Sequence, residues 1–380
     1  MENQTIAKAF PPGDFIKEEL EAREWTQLSL AEIMGRQTSV VSAIVNGKRA
    51  ISLDIATELS SAFGTSVDYW MNLEKSYQQF LRSRSDDSIS RRARLFQLAP
   101  VKEMIKRNWI EPSNDWSVIE QEVCGFLEIS SLDEDPKAFA HAAKKSSPEE
   151  PATPAQAAWL RRAKKLARGV QAAKFSEESF ADAIRNVRRL MENPEDVRQV
   201  PKVLAAAGIR FLIVENIAHA KMDGACFWLN NQAPVIAIGV RYDRIDNFWY
   251  VVTHEMGHIS NRDGVNGDAV WDANLVGEDA IPFDQKSEME KQADLFAQQL
   301  LIDQAAIEHW IARTAPLYSK VKIIAFARMN HVHPAIVLGQ LQYRKEVEWS
   351  HSREMLVKIR HLITPVALTD GFGNVLPANL

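Results

Sequence analysis

Apolar residues recur at helical spacing through most of this chain and give way to β-branched runs only over a short middle stretch. Near the start, Pro12-Gly13-Asp14 reads as a turn, with Asp14 capping a helix from Phe15 to about Arg23. Thr26 is the expected N-cap of a second helix through Leu30, Ala31 and Ile33, which Gly35 ends. A short third helix, Thr38 to Val45, stops at Asn46-Gly47, and Ile51, Leu53, Ile55, Ala56 and Leu59 supply a fourth. Two short helices joined by a Gly-containing turn, with small Ala31 where they cross, have helix-turn-helix spacing. Further along, Leu95, Leu98, Val101, Ile105 and Trp109 share one helix face, and Trp116, Ile119, Val123, Phe126 and Leu127 share another. Trp159, Ala163, Leu166 and Val170 predict the inward face of an amphipathic helix, whose cations Arg161, Arg162, Lys164, Lys165 and Arg168 form its wet face. Ile209–Glu215, Ala225–Leu229 and Val235–Gly239 read as strands, with Asn230-Asn231 as the turn between the last two. The pattern predicts a mainly α chain with a small antiparallel sheet, an α+β fold.

Two polar stretches, Arg82–Arg92 and Ser130–Ala155, read as links and divide the chain. The expected parts are a helical domain over 1–80, a helical connector over 81–155, a larger domain over 156–350 and an extension over 351–380. The net charge of −5 argues against a bulk polyanion binder, so any nucleic-acid contact needs a local patch. Residues 1–80 hold 7 Lys/Arg and 11 Asp/Glu, yet Ile33 to Leu53 carries three basic residues and no acidic one. Helix three laid in a major groove puts Gln37, Thr38, Ser39 and Ser42 against bases, with Arg36, Lys48 and Arg49 on phosphates. Only two cysteines occur, so neither a disulfide framework nor a cysteine-based zinc site is expected, and a cytoplasmic setting fits. No apolar run is long enough to span a membrane.

The candidate chemistry lies in His254-Glu255-Met-Gly-His258. On a helix the two histidines sit at i and i+4, so both rings can grip one metal ion, while Glu255 reaches a water beside it. Zn²⁺ suits two imidazoles and a carboxylate with an open fourth position, which points to peptide hydrolysis. Asn261 and Gly264 stand where a metzincin needs Gly and His, which excludes that class. A third ligand is offered by Glu290, with Asp294 one turn later placed to fix a ligand histidine. The segment 261–286 has the make-up of a lid or plug, and Asp263, Asp268, Asp272 and Asp279 are its candidate zinc-blocking groups. A sheet edge before the metal-bearing helix would give an extended peptide a strand to pair with.

His254-Glu-Met-Gly-His258, followed by Glu290-x-x-Ala-Asp294-x-Phe-Ala-x-x-Leu-Leu, resembles the ImmA/IrrE family of bacterial metallopeptidases over roughly residues 200–345. Gln292 stands at the family's second Glu, and Ile302-Asp303 where Met-Pro is common, and neither departure touches a proposed ligand. His333-Pro334-Ala-Ile336-Val-Leu-Gly339 resembles the run after that family's zinc helices, with Gln340 in place of Arg. His333 then has two readings, an oxyanion stabiliser or a satisfied histidine at a helix start, and the second has the greater weight. Residues 12–80, through Pro12-Gly-Asp, Asn46-Gly-Lys-Arg-Ala-Ile-Ser and Tyr69-Trp-Met-Asn-Leu73, resemble the HigA branch of the XRE-type helix-turn-helix family. That resemblance implies an antitoxin or repressor that binds operator DNA as a homodimer. Together the two resemblances imply a zinc-dependent endopeptidase, gated or narrow in specificity, acting on a partner protein such as a cognate toxin or repressor. The alternative is an autorepressor whose zinc domain only senses or docks that partner.

Overall fold

The computed structural model describes residues 10–132, 143–145, 152–267 and 269–370, with backbone alone at 82–87 and 143–145. Contacts divide it into two units, 1–93 and 94–380.

The first unit is helical: α1 Pro12–Ala22, α2 Gln27–Ile33, α3 Thr38–Val45, α4 Leu53–Phe63 and the start of α5 Val67–Leu98. Thr26 caps α2 as expected, its Oγ1 accepting from Ser29 N at 3.1 Å. Asp14 does not cap α1: the rigid Pro11-Pro12 pair starts the helix earlier, and Asp14 lies in its first turn, paired with Lys17. Leu30, Ala31, Val41, Ile44, Ile55, Leu59 and Trp70 form the core. The expected link at Arg82–Arg92 is instead helical, within α5. Nothing from Val67 to Leu98 is Gly or Pro, so no residue there removes a helical hydrogen bond, and a polar sequence alone does not end a helix.

In the second unit come α6 Val101–Lys106, α7 Trp116–Leu127, β1 Ala143–Lys145, α8 Pro154–Ala167, α9 Glu177–Arg189, α10 Val200–Ala206, β2 Arg210–Ile213, β3 Met222–Trp228 and β4 Pro234–Ile238. They are followed by α11 Ile245–Ser260, β5 Ala269–Ala273, α12 Glu288–Leu301, α13 Gln304–Thr314, α14 Lys320–Met329, α15 Pro334–Tyr343 and β6 Leu368–Thr369. The strands form one sheet in the order β1-β5-β3-β4-β2-β6. The α+β class holds, but the sheet is mixed and not antiparallel. β3 is antiparallel to β4 and β5, whereas β2 runs parallel to β4 and β6, and β1 parallel to β5. Only the β3–β4 hairpin announces its direction locally, through the Asn230 turn, where Gln232 N donates to Asn230 Oδ1 at 3.0 Å. The other pairings join segments distant in sequence, and packing decides their direction.

Strand periodicity sorts the sheet's side chains onto two faces. Leu212, Val214, Ala225, Phe227, Val235, Ala237 and Trp271 pack with residues of α6, α7 and α8 and of the α6–α7 connection, among them Trp109, Phe126 and Trp159. Phe211, Ile213, Cys226, Ile236 and Ile238 pack on the other face with Phe248, Trp249 and Val252 of α11. The helical connector expected over 81–155 groups with this unit from residue 94 onward, where its apolar faces cover one side of the sheet. The expected C-terminal extension is likewise integral as far as 370: Ile359, Leu362, Ile363 and Ala367 are buried, and β6 pairs with β2. Residues 371–380 and most of the expected second link lie outside the described residues. Both cysteines are free and buried. Among the described residues no helix is long and apolar enough to cross a membrane.

Candidate metal centre and helix-turn-helix unit

Helix α11 carries His254, Glu255 and His258, all fully buried. It starts at Ile245 without a side-chain cap. Asp246 sits inside the first turn, where Arg244 Nε and Nη2 bind its two oxygens at 3.1 and 2.6 Å, so its carboxylate is taken. Helix α12 crosses α11 closely enough to bring Glu290 to the histidines. The crossing point explains the glycine of His-Glu-Met-Gly-His: a Cβ on Gly257 would lie 2.9 Å from Ala293 Cα, closer than real contacts allow. Gly257→Ala should therefore destabilise the chain by about 1–3 kcal/mol. It should also weaken its hold on metal, by prising Glu290 away from the histidines. A urea melt and a metal titration test this; unchanged stability and affinity would mean that the crossing is slack.

The ligating atoms converge. His254 Nε2 lies 3.1 Å from His258 Nε2 and 3.1 Å from Glu290 Oε2, and His258 Nε2 is 3.6 Å from the same oxygen. A fourth group joins them from β5: Asp272 Oδ2, at 3.4 and 3.8 Å from the two Nε2 atoms. All four donors lie within 4.8 Å of one another, and all four residues are buried. Four donors tetrahedrally around one zinc ion stand about 3.3 Å apart, so this spacing fits such an ion. Behind the donors, His258 Nδ1 meets Asp263 Oδ2 at 2.9 Å. His254 Nδ1 lies 2.9 Å from Asp294 Oδ1, with the carboxylate set off the ring's N–H line. Protons on the Nδ1 atoms leave both Nε2 lone pairs facing one point. Lys286 Nζ and Tyr250 Oη each donate to Asp294, at 2.6 and 2.8 Å.

The electrostatics also call for a cation. Glu255, Asp272, Glu290 and Asp294 are buried here, and among the described residues Lys286 is the one ammonium paired with any of them, through Asp294. Glu255 keeps both carboxylate oxygens buried without a hydrogen-bond partner, and so does Asp272 for Oδ2 and Glu290 for Oε1. Burial raises the Glu255 pKa well above the carboxylate range, and the neighbouring Asp272 adds to it. Burial should lower the histidine values, but the surrounding carboxylates outweigh it: Asp272, Asp294 and Glu290 hold His254 well above its usual pKa, and Asp263, Asp272 and Glu290 do so for His258. Asp272 behaves in reverse, its burial overcome by the two histidines, which hold it well below its usual value.

Strand alternation places Asp272. Ala269, Trp271 and Ala273 face the core shared with α6–α8, so Val270 and Asp272 face α11. Its register partner on β3 is Gly224, where a Cβ would meet Glu255 Oε1 at 2.0 Å. Gly224 thus makes room for the Glu255 carboxylate, a role with no sequence signal. Of the other candidate blocking groups, Asp263 orients His258, Asp279 takes no place in the cluster, and Asp268 lies outside the described residues. β3, which lies nearest α11 at Gly224, is paired on both sides, with β4 and β5, and offers no free edge to a peptide. His333 stays out of the cluster and caps α15, its Nδ1 accepting from Ala335 N at 3.2 Å, while burial lowers its pKa.

In the first unit, α2 and α3 are joined by the turn Met34–Gln37, and Gly35 has φ +63°. A family model described as helix-turn-helix matches residues 16–70. The HTH-type transcriptional regulator YbaQ of Escherichia coli K12 is 35% identical over 72 residues, 19% of this chain and 64% of YbaQ. The chain therefore spans just under two thirds of that relative's length. HTH-type transcriptional regulator YddM of the same strain is 31% identical over 84 residues, 22% of this chain and 88% of YddM. The chain belongs to the helix-turn-helix family. Two solved structures are also similar: an addiction module antidote protein of a HigA family from Coxiella burnetii (32% identity, 22% of this chain, 92% of that one, TM-score 0.21), and Pseudomonas aeruginosa antitoxin HigA with higBA promoter (28%, 21%, 89%, 0.21). Within the helix-turn-helix domain, Gln37, Thr38 and Ser39 are exposed at the start of α3, Ser42 is half-buried, and Lys48 and Arg49 are exposed after it. Ser42 accepts from Asn46 Nδ2 at 3.2 Å. Arg36 departs from expectation: Glu58 of α4 takes its Nε and Nη2 at 3.0 and 2.8 Å, so it fastens α4 to the turn and is not a free phosphate grip.

Proposed function

We propose that this chain is a DNA-binding transcriptional regulator that also carries a zinc-dependent endopeptidase site acting on one partner protein. The observation that carries the second half is the buried convergence of His254, His258 and Glu290 beside an unpartnered Glu255. A zinc ion held there would polarise a peptide carbonyl and acidify a water. The chain's own residues would do the rest. Asp263 and Asp294 fix the two imidazoles through Nδ1, and Lys286 and Tyr250 fix Asp294. Glu255, given space by Gly224, takes the proton of the attacking water on a carboxylate oxygen and returns it to the leaving amine. Cells expressing the wild-type chain or Glu255→Gln, compared for newly cut proteins, test this reading. Fragments that appear only with the wild type support it, and identical fragment sets oppose it.

The first half rests on the helix-turn-helix match and the HTH-type regulators it resembles. The chain then binds two-fold symmetric operator DNA as a homodimer, through α3. Lys48→Ala and Arg49→Ala should weaken binding to all sequences alike, each lowering the log–log salt slope by about 1. Ser39 substitutions should change which sequence is preferred, and Arg36→Ala should cost stability more than affinity, since its partner is Glu58. Titrations of labelled promoter DNA at several salt concentrations check these outcomes; equal affinity of the double Lys48/Arg49 variant would remove the turn after α3 from the interface. A second reading, a zinc domain that senses or docks a toxin or repressor without cutting it, is favoured by one observation: four buried protein donors, one more than a three-ligand catalytic site uses, converge on one point.

A further inference from the structure

We infer that β5 is a built-in occupant of the peptide track, with Asp272 as a fourth protein ligand that closes the metal site in the resting chain. The inference rests on the zinc reading above and concerns how that site is regulated.

Three independent features meet at this strand. The first is coordination: Asp272 Oδ2 stands 3.4 and 3.8 Å from the two histidine Nε2 atoms, the same range as Glu290 Oε2 at 3.1 and 3.6 Å. A three-ligand zinc site keeps its fourth position for water and substrate, whereas four protein donors make it a closed site. The second is pairing. β5 runs antiparallel along β3, with Asp272 opposite Gly224 and Trp271 opposite Ala225. An extended peptide adding to the β3 edge would need those same backbone groups. The third is a latch. Just past β5, Asp223 of β3 accepts from Leu275 N at 2.7 Å and Val276 N at 3.4 Å, and Arg241 reaches Asn274 Oδ1 and Val276 O at 3.2 and 3.1 Å. Asp223 is itself buried, so these bonds have little competition from water.

Closure of this kind is firm. Trp271 is fully buried in the core beneath the sheet, and lifting β5 would vacate that volume. A generic unfolded peptide has nothing to fill it. A displacing partner would have to present an extended segment with a large aromatic side chain at the Trp271 register, next to a residue that does not ligate metal. The resting chain should therefore leave casein uncut.

Cobalt substitution of the full-length chain tests the inference without relying on turnover. The visible spectrum of the Co²⁺-loaded wild type should not respond to acetohydroxamate. Asp272→Ala should retain cobalt, change its spectrum and shift it further on adding acetohydroxamate, as an opened position takes the ligand. A wild type that responds as the variant does, or a variant as insensitive as the wild type, would overturn the closure. Hydrogen exchange of the wild type supplies a check that needs no variant. Loading metal should slow exchange of the Ala269–Ala273 amides about tenfold or more, and no change there would also overturn it. Failure of the wild type to bind cobalt at all is a different result, and it would remove the metal site itself.

Discussion

Glu255→Gln should keep about one zinc per chain and lose cleavage of the partner protein by roughly 10²- to 10⁴-fold, the usual scale for removing a positioned proton acceptor. The substitution preserves shape, and Glu255 is not among the four converging donors, so folding and metal content are expected to survive. Its carboxylate is buried and without a hydrogen-bond partner, and burial together with Asp272 raises its pKa. The measurement is a time course of partner cleavage with purified wild type and variant at equal zinc occupancy. Full activity in Glu255→Gln would assign the proton transfer elsewhere.

The second large effect concerns the donors. His254→Ala, His258→Ala or Glu290→Ala should each abolish stoichiometric zinc, whereas Asp294→Ala should weaken affinity by only about 10- to 100-fold, because it acts through His254. Acid should mimic the donor losses. Protons and metal compete for the same Nε2 atoms, and both histidines have raised pKa values, so metal is held at high pH and released as pH falls. Metal titrations of the variants over a pH series check both statements. A folded Glu290→Ala chain with wild-type affinity would contradict the ligand set, and affinity that rises toward acid would contradict the competition.

What could be read in the sequence was whatever follows from spacing along one helix. His254 and His258 at i and i+4, and Glu290 with Asp294 at the same interval, declare their shared faces without knowledge of the fold. The helix-turn-helix was legible for the same reason, since Thr26 and the Gly35 turn act locally. Groups whose role depends on distant partners were not. The four candidate aspartates of the segment 261–286 looked equivalent, and Asp272 stands apart only because β5 pairs with β3 and turns alternate side chains toward α11. Ala-Val-Trp-Asp-Ala is too short and too mixed to announce that alternation. Arg36 looked like a phosphate contact because Glu58, its partner, is 22 residues away. Gly224 gave no signal, as nothing in sequence says that Glu255 will press against it. The direction of the strands, and the membership of residues 94–132 in the second unit, came from packing over the sheet and not from any local pattern.

The central claim is that the second unit holds zinc through two imidazoles and carboxylates. X-ray absorption at the zinc edge, on the full-length chain purified without added metal, tests it most directly. The account predicts a first shell of about four nitrogen and oxygen donors near 2.0–2.1 Å, with outer-shell scattering from two imidazoles that disappears in His258→Ala. Sulfur in the first shell, a shell of water oxygens without imidazole scattering, or a spectrum unchanged by His258→Ala would contradict it.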